Sequence, residues 1–143
     1  MKANGKTEAA VLAVLNKFME SYKKRDIDGL LALLAPDDDI FMFGTGADEK
    51  RIGRDQIRFQ AERDWSQTEA LAFNLTWRQV SAAGPVAWVA AEGLGQGKAG
   101  GQAFEFPMRM TSVLEQRGGE WFVVQSHVSL PAPAQEEGDS VPV

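Results

Sequence analysis

The chain has 143 residues, 44% of them hydrophobic, which is enough for one domain with a core of its own. Its net charge of −5 argues against a nucleic-acid partner, because binding to that backbone depends on Lys and Arg neutralising phosphates. The absence of cysteine excludes disulfides and thiol chemistry and fits a cytoplasmic location, and no apolar run is long enough to predict a membrane span.

The N-terminal third predicts two helices. The apolar side of the first recurs at helical spacing over Val11, Leu15, Phe18 and Tyr22. Thr7 is the predicted N-cap of this helix. A second helix is predicted over residues 27–35, with Asp26 as its N-cap and Pro36 as its end, because proline cannot continue a helix.

The middle of the chain changes from helical to alternating periodicity. A short strand is predicted over residues 40–43 and a third helix over about 54–65. The buried side of that helix is predicted to be Ile57, Ala61 and Trp65. After Ser66 the pattern alternates, and a half-buried strand is predicted with these residues on one face: Leu71, Phe73, Leu75 and Trp77.

Three more strands are predicted over residues 86–93, 102–115 and 121–129, with 95–101 as a flexible loop. Helices followed by consecutive strands predict an α+β fold: a curved antiparallel sheet packed on three N-terminal helices, forming a cone with an internal pocket. Residues 1–130 would form this single domain. Residues 131–143, rich in Pro, Ala and Glu, would be a mobile C-terminal tail.

Three segments carry a resemblance to a known family. They are Arg25-Asp26-Ile27-Asp28-Gly29-Leu30 with the helix after it, Arg51-Ile52-Gly53-Arg54-Asp55-Gln56-Ile57, and the hairpin containing Arg109-Met110-Thr111, Gly119-Glu120-Trp121 and His127-Val128-Ser129. Over about residues 7–130 the chain resembles the SnoaL-like and ketosteroid-isomerase-like proteins of the nuclear-transport-factor-like superfamily. That superfamily includes isomerases, dehydratases, cyclases, association modules and transport adaptors, so the resemblance implies a fold and not a reaction.

The resemblance also implies where ketosteroid isomerases carry their catalytic groups. Their catalytic-base Asp would fall at Met42, or at Phe43 with a one-residue slip, and neither side chain can take a proton. Their first-helix Tyr would fall at Phe18, and Tyr22 one turn later would be a displaced substitute. Ketosteroid isomerisation by that mechanism is therefore not expected.

His127 is the only histidine, and histidine is the side chain most often used in general acid–base catalysis, which makes it a candidate catalytic base. A three-residue hairpin loop over Arg117–Gly119 would place Arg109 opposite His127, where it could hold an anion or a developing oxyanion. A two- or four-residue loop would put the two side chains on opposite faces. In the alternative reading, His127 orders the strand end or a dimer contact, and Arg109 forms a salt bridge.

Five further residues are predicted to contact a ligand: Trp88, Glu92, Tyr22, Gln125 and Ser129. The alternative is that the aromatic residues are ordinary core and that Glu92 lies at an exposed strand end. No cofactor and no metal are expected. Residues 95–100 match a dinucleotide fingerprint only by letters, since no helix follows, and one histidine without cysteine does not make a typical zinc site.

Three hypotheses follow for function. The first is a small-molecule enzyme, a lyase, isomerase or hydrolase, that uses His127 and Arg109. The second is a non-catalytic module that binds an apolar or anionic small molecule in the same pocket. The third is a dimeric association module, and a homodimer is expected in every case because a sheet with helices on one face leaves the other for a second subunit.

Overall fold

The computed structural model describes residues 1–143 and has three helices and six strands. In chain order these are α1 Gly5–Lys24, α2 Ile27–Leu31, β1 Phe41–Phe43, β2 Lys50–Ile52, α3 Gly53–Gln67, β3 Ala70–Ala83, β4 Val86–Ala99, β5 Gln102–Arg117 and β6 Glu120–Ser129. The strands form one curved sheet in the order β2-β1-β6-β5-β4-β3. The predicted α+β class is confirmed.

The sheet is mixed and not purely antiparallel. Strand β1 runs parallel to β6, with Phe43 beside His127, and every other neighbouring pair is antiparallel. Strand β2 was not predicted, because three residues are too few to show an alternating pattern. This short strand matters for the site, because it brings Arg51 beside Met42.

Of the two predicted N-cap residues, one is wrong and one is confirmed. Asn4, and not Thr7, caps α1: its side-chain oxygen accepts a hydrogen bond from the Thr7 backbone N–H at 2.8 Å. Asp26 caps α2 as predicted and accepts from the Gly29 N–H at 3.0 Å. Helix α2 ends at Leu31, earlier than predicted.

The glycine-rich segment predicted as a loop is part of a strand. Strand β4 continues to Ala99, and only Gly100 and Gly101 form the turn to β5. A Cβ at Gly95 would lie 2.2 Å from the Phe106 ring, and one at Gly97 would lie 2.3 Å from the Ala70 backbone oxygen and 2.6 Å from the Phe104 ring. Glycine therefore makes room for aromatic rings of the neighbouring strand, a role that a single sequence does not distinguish from loop flexibility.

A β-bulge in β3 overturns the predicted strand face. The register shifts between Leu75 and Trp77, so Trp77 pairs with Glu92 instead of continuing the inner row. As a result Leu75 packs against the core and Trp77 is 49% exposed on the opposite face.

The closing hairpin differs from the prediction in two compensating ways. Its turn has two residues, Gly118 and Gly119, both with positive φ, so the predicted three-residue loop is wrong. A bulge at Val124 of β6, between the pairs Val113–Gln125 and Leu114–Val123, then shifts the register again, so that Arg109 pairs with Ser129 and not with His127. The bulge restores the parity, and Arg109 and His127 share one face as diagonal neighbours.

The helices cover only one side of the sheet, which is called the inner face below. The largest fully buried side chains lie between the helices and that face: Val11, Leu30, Leu34, Val89 and Leu114. The opposite, outer face carries no helix. Residues 130–143 contain no helix or strand, and no helix has the length and hydropathy of a membrane span.

Candidate functional site

A cavity of about 230 Å³ lies between the helices and the inner face of the sheet. Most of its wall is apolar, with 16 hydrophobic residues among the 24 that line it. Helix α1 contributes Leu15, Phe18 and Met19, while the sheet contributes Met42, Phe73, Phe106, Met108, Met110 and Val128. Such a wall favours the apolar body of an organic molecule by removing it from water.

One wall of the cavity is polar, and its centre is a hydrogen-bonded pair between α1 and α3. The Tyr22 hydroxyl donates to Asp64 Oδ2 at 2.5 Å. The Gln60 side-chain amide donates to Asp64 Oδ1 at 2.7 Å. All three residues line the cavity, so one carboxyl group with a donor on each oxygen faces an apolar space.

The polar wall continues from Gln60 to Arg51 on β2. Arg51 Nε donates to Gln60 Oε1 at 2.9 Å, and Arg51 and Glu49 also line the cavity. Glu49 is held by Arg63 at 3.0 Å, and the other terminal nitrogen of Arg63 contacts Asp48 at 2.6 Å. The hydrogen bonds thus run without a break from Tyr22 through Asp64 and Gln60 to Arg51.

The position of Tyr22 beside Asp64 is fixed by the end of α1. Arg25 takes a left-handed conformation (φ 59°), and its backbone N–H closes the helix on the Ser21 and Tyr22 carbonyls. Its guanidinium donates to the backbone oxygens of Trp65 at 2.6 Å and Thr68 at 2.7 Å. Arg25 therefore ties the end of α1 to the end of α3, one turn from each member of the pair.

Burial sets the protonation behaviour of the pair. It raises the pKa of Asp64 above its ordinary range, and the donors Tyr22 and Gln60 offset only part of that shift. The pKa of Tyr22 is raised first by burial and then by the neighbouring Asp64 charge. Tyr22 consequently stays a proton-bearing donor at all ordinary pH values, while Asp64 is a carboxyl that can gain or lose a proton closer to neutrality.

The structure separates the residues predicted from the sequence into two groups. Tyr22 lines the cavity, as do Phe18 and Met42 at the two positions where ketosteroid isomerases carry catalytic groups. The other predicted site residues lie on strand positions of the outer face and do not line it: Trp88, Glu92, Arg109, Gln125, His127 and Ser129. The centre of the His127 ring lies 5.1 Å from that of the Phe43 ring. Glu92 of β4 lies opposite Arg109 of the neighbouring strand β5 in the sheet register.

The predicted hairpin register placed Arg109 and His127 on the same face of the sheet, and the structure does place them on one face. That face is the outer one, because the inner positions of the hairpin belong to Met108, Met110 and Ser112. The convergence on the cavity that a His127–Arg109 mechanism requires is therefore not found. Any catalytic role for the two residues stays a prediction without support from this cavity.

Sequence reasoning missed Glu49, Arg51, Gln60 and Asp64. The available signal was helical spacing: Gln60 and Asp64 flank Ala61 on the side of α3 that faces inward. Polar residues on a buried stripe are a better indication of a site than a lone histidine on a strand. No group of three or more His, Asp or Glu side chains is arranged to hold a metal ion.

Three helices on one face of a curved sheet, enclosing an apolar cavity with one polar wall, define an α+β pocket protein. A family model for the SnoaL-like domain matches residues 11–133. The chain belongs to the SnoaL-like domain family. No curated protein matches the sequence.

Solved structures show the same fold. A nuclear transport factor 2-like superfamily protein from Salmonella enterica superposes with a TM-score of 0.83 at 16% identity, covering 96% of this chain and 99% of its own. An NTF2-like protein of unknown function from Pseudomonas putida is 27% identical, with a TM-score of 0.75 and coverages of 94% and 92%. A proposed dehydratase of the NTF2-like family from Streptomyces avermitilis is 21% identical, with a TM-score of 0.79 and coverages of 90% and 99%.

Proposed function

We propose that the protein binds a small, largely apolar organic molecule in the cavity and exchanges a proton with it through Asp64. The observation that carries this proposal is a half-buried carboxyl, hydrogen-bonded by Tyr22 and Gln60, facing an apolar cavity. Proton exchange is the first step of many lyase and isomerase reactions, so these are the classes of enzyme that the site favours. A cytoplasmic location is part of this proposal.

The chemistry follows from the environment of each group. Ionised Asp64 is poorly solvated, so it gains by taking a proton from a C–H or O–H bond of the ligand. Tyr22 keeps its own proton and holds the carboxyl in place, which makes it a positioning residue. The apolar wall limits the contact of the ligand with water, so the ligand gives its proton to Asp64, and the half-buried Asp64 in turn exchanges that proton with solvent.

The size of the cavity limits the ligand. A cavity of about 150 Å³ lined by apolar side chains holds benzene. The 230 Å³ found here therefore suits a molecule with roughly two fused rings. Naphthalene and its derivatives are suitable probes.

Filling the cavity should abolish binding without touching the polar wall. Ala61 lies 4% exposed in the wall, and Ala61→Leu directs a larger side chain into the space. Naphthalene binding, followed by tryptophan fluorescence or calorimetry, should weaken at least about tenfold, since a buried contact surface of that size is worth more than 1.4 kcal/mol. The matched control Ala13→Leu, at an exposed position of α1, should bind as the natural chain does. Equal binding by both variants would refute the cavity as the site.

A second proposed property is self-association through the outer face. Four large apolar residues of that face are at least 36% exposed: Phe43, Ile52, Trp77 and Val86. A second copy is the natural cover for such a face, because the patch is repeated on each subunit and a twofold contact is self-complementary. This association is compatible with either a catalytic or a binding role for the cavity.

Light scattering at micromolar concentration should then give about twice the chain mass of 15.6 kDa. Trp77→Asp should shift the mass toward that of the monomer, because it places a charge in the covered apolar patch. Glu62→Asp, at an exposed position of α3, should leave the mass unchanged. A monomeric mass for the natural chain would contradict this proposal and leave the cavity proposal standing.

A further inference from the structure

We propose that Arg51 binds an oxygen of the ligand, so that the cavity takes molecules with an apolar body and a carbonyl or carboxylate group. This inference rests on the proposed function, since it concerns the same cavity. Arg51 is the only arginine that lines the cavity, and its single hydrogen bond uses Nε.

The terminal nitrogens of Arg51 form no hydrogen bond within the protein. The one carboxylate near them is that of Asp48, whose oxygen lies 4.0 Å away and is itself 2.6 Å from Arg63. In contrast, both terminal nitrogens of Arg63 contact carboxylates at 3.0 Å or less. The side chain of Arg51 is nevertheless only 15% exposed and lines the cavity, so a ligand oxygen there can take a charged donor that forms no hydrogen bond within the protein.

The orientation of Arg51 is fixed in advance. Its Nε is held by Gln60, and its guanidinium carbon lies 5.1 Å from the centre of the Phe59 ring. An arginine held in this way loses little side-chain entropy when it binds a ligand oxygen with its terminal donors.

The acidic side chains around Arg51 leave its terminal nitrogens without a hydrogen bond, so these nitrogens can bind a ligand oxygen. Asp48 and Glu49 balance Arg51 and Arg63, and both acids are already bound by Arg63. The remaining charge is that of Asp64, from which Arg51 is separated by the Gln60 amide. A ligand oxygen at Arg51 therefore lies one amide group from the carboxyl that exchanges a proton.

Three probes of similar size separate the possible outcomes: naphthalene, the ketone 2-tetralone and the carboxylate 2-naphthoate. Their affinities are measured for the natural chain, Arg51→Gln, Arg51→Lys and Arg58→Gln. Arg58 is a matched control, because it lies on α3 and is 43% exposed with only a 3.7 Å contact to Glu62. We expect Arg51→Gln to weaken one or both oxygen-bearing probes by roughly 10- to 100-fold, the range for hydrogen bonds to a charged group. Naphthalene binding should change less than about twofold, and Arg51→Lys should be intermediate.

The pattern of affinity losses shows whether Arg51 binds a carbonyl or a carboxylate oxygen. Naphthalene binding shows at the same time whether each variant is folded. A loss confined to 2-tetralone identifies a carbonyl site, and a loss confined to 2-naphthoate identifies a carboxylate site. An equal loss for all three probes, or none, would overturn the role of Arg51 and leave the cavity proposal intact. Failure of all three to bind the natural chain would remove the proposed function and this inference together.

Discussion

Asp64→Asn is expected to lower the rate of proton exchange by about 10²- to 10⁴-fold, the usual contribution of a general base. The measurement is deuterium incorporation at the carbons beside the carbonyl of 2-tetralone in D₂O, followed by NMR. Asn has nearly the shape of Asp but cannot accept the proton. Binding of naphthalene should persist, because the apolar wall is unchanged.

The pH dependence of the same reaction shows in which direction the pKa of Asp64 is shifted. Exchange requires ionised Asp64, so its rate should fall as pH drops through the pKa of that carboxyl. Because burial raises this pKa, the fall should occur at higher pH than the ordinary value for Asp of about 3.9. Tyr22→Phe removes a donor that lowers the pKa of Asp64, so it should move the fall to still higher pH.

Asp55→Asn is the matched control for these experiments, since Asp55 is an exposed carboxylate on the same helix. Its rate and pH profile should match those of the natural chain. Undiminished exchange in Asp64→Asn would exclude Asp64 as the base. A Tyr22→Phe profile that falls at lower pH would contradict the positioning role assigned to Tyr22.

Gly93→Ala is expected to destabilise the fold by about 1–3 kcal/mol, the usual cost of forcing extra volume into a packed region. The added Cβ would lie 2.4 Å from the backbone oxygen of Asn74, so a strand and not a flexible side chain would have to move. Gly93 pairs with Leu75 beside the β3 bulge, which leaves this part of the sheet little freedom to adjust. Urea unfolding monitored by tryptophan fluorescence gives the change in free energy.

Gly5→Ala serves as the comparison, because a Cβ there meets nothing within 4 Å at the start of α1. Its unfolding free energy should stay within about 0.5 kcal/mol of that of the natural chain. If both variants had the same stability, close contact at Gly93 would not be the reason for glycine in β4.

Local pattern was sufficient for the main elements because each depends on spacing within one segment. The stripe Val11, Leu15, Tyr22 predicted α1, and the Asp26 cap predicted the start of α2. Pattern failed where a neighbouring strand decides the outcome. Gly95 and Gly97 of β4 leave room for rings from β5, Gly93 leaves room for the backbone of β3, and the bulge before Trp77 is recognised only from the pairing of β3 with β4.

Periodicity within each segment was sufficient to predict the α+β class. The family resemblance, which rests on residue identity in three segments, implied that Phe18 and Met42 stand where ketosteroid isomerases carry catalytic groups. Which face of the sheet encloses the cavity is settled only when the strands pair and the helices pack on them. That choice depends on two bulges, each of which reverses the faces of the residues beyond it, and on the helices that cover one side. It directs His127 and Arg109 away from the cavity. The contact of α1 with α3 joins Tyr22 to Asp64, 42 positions apart in the sequence.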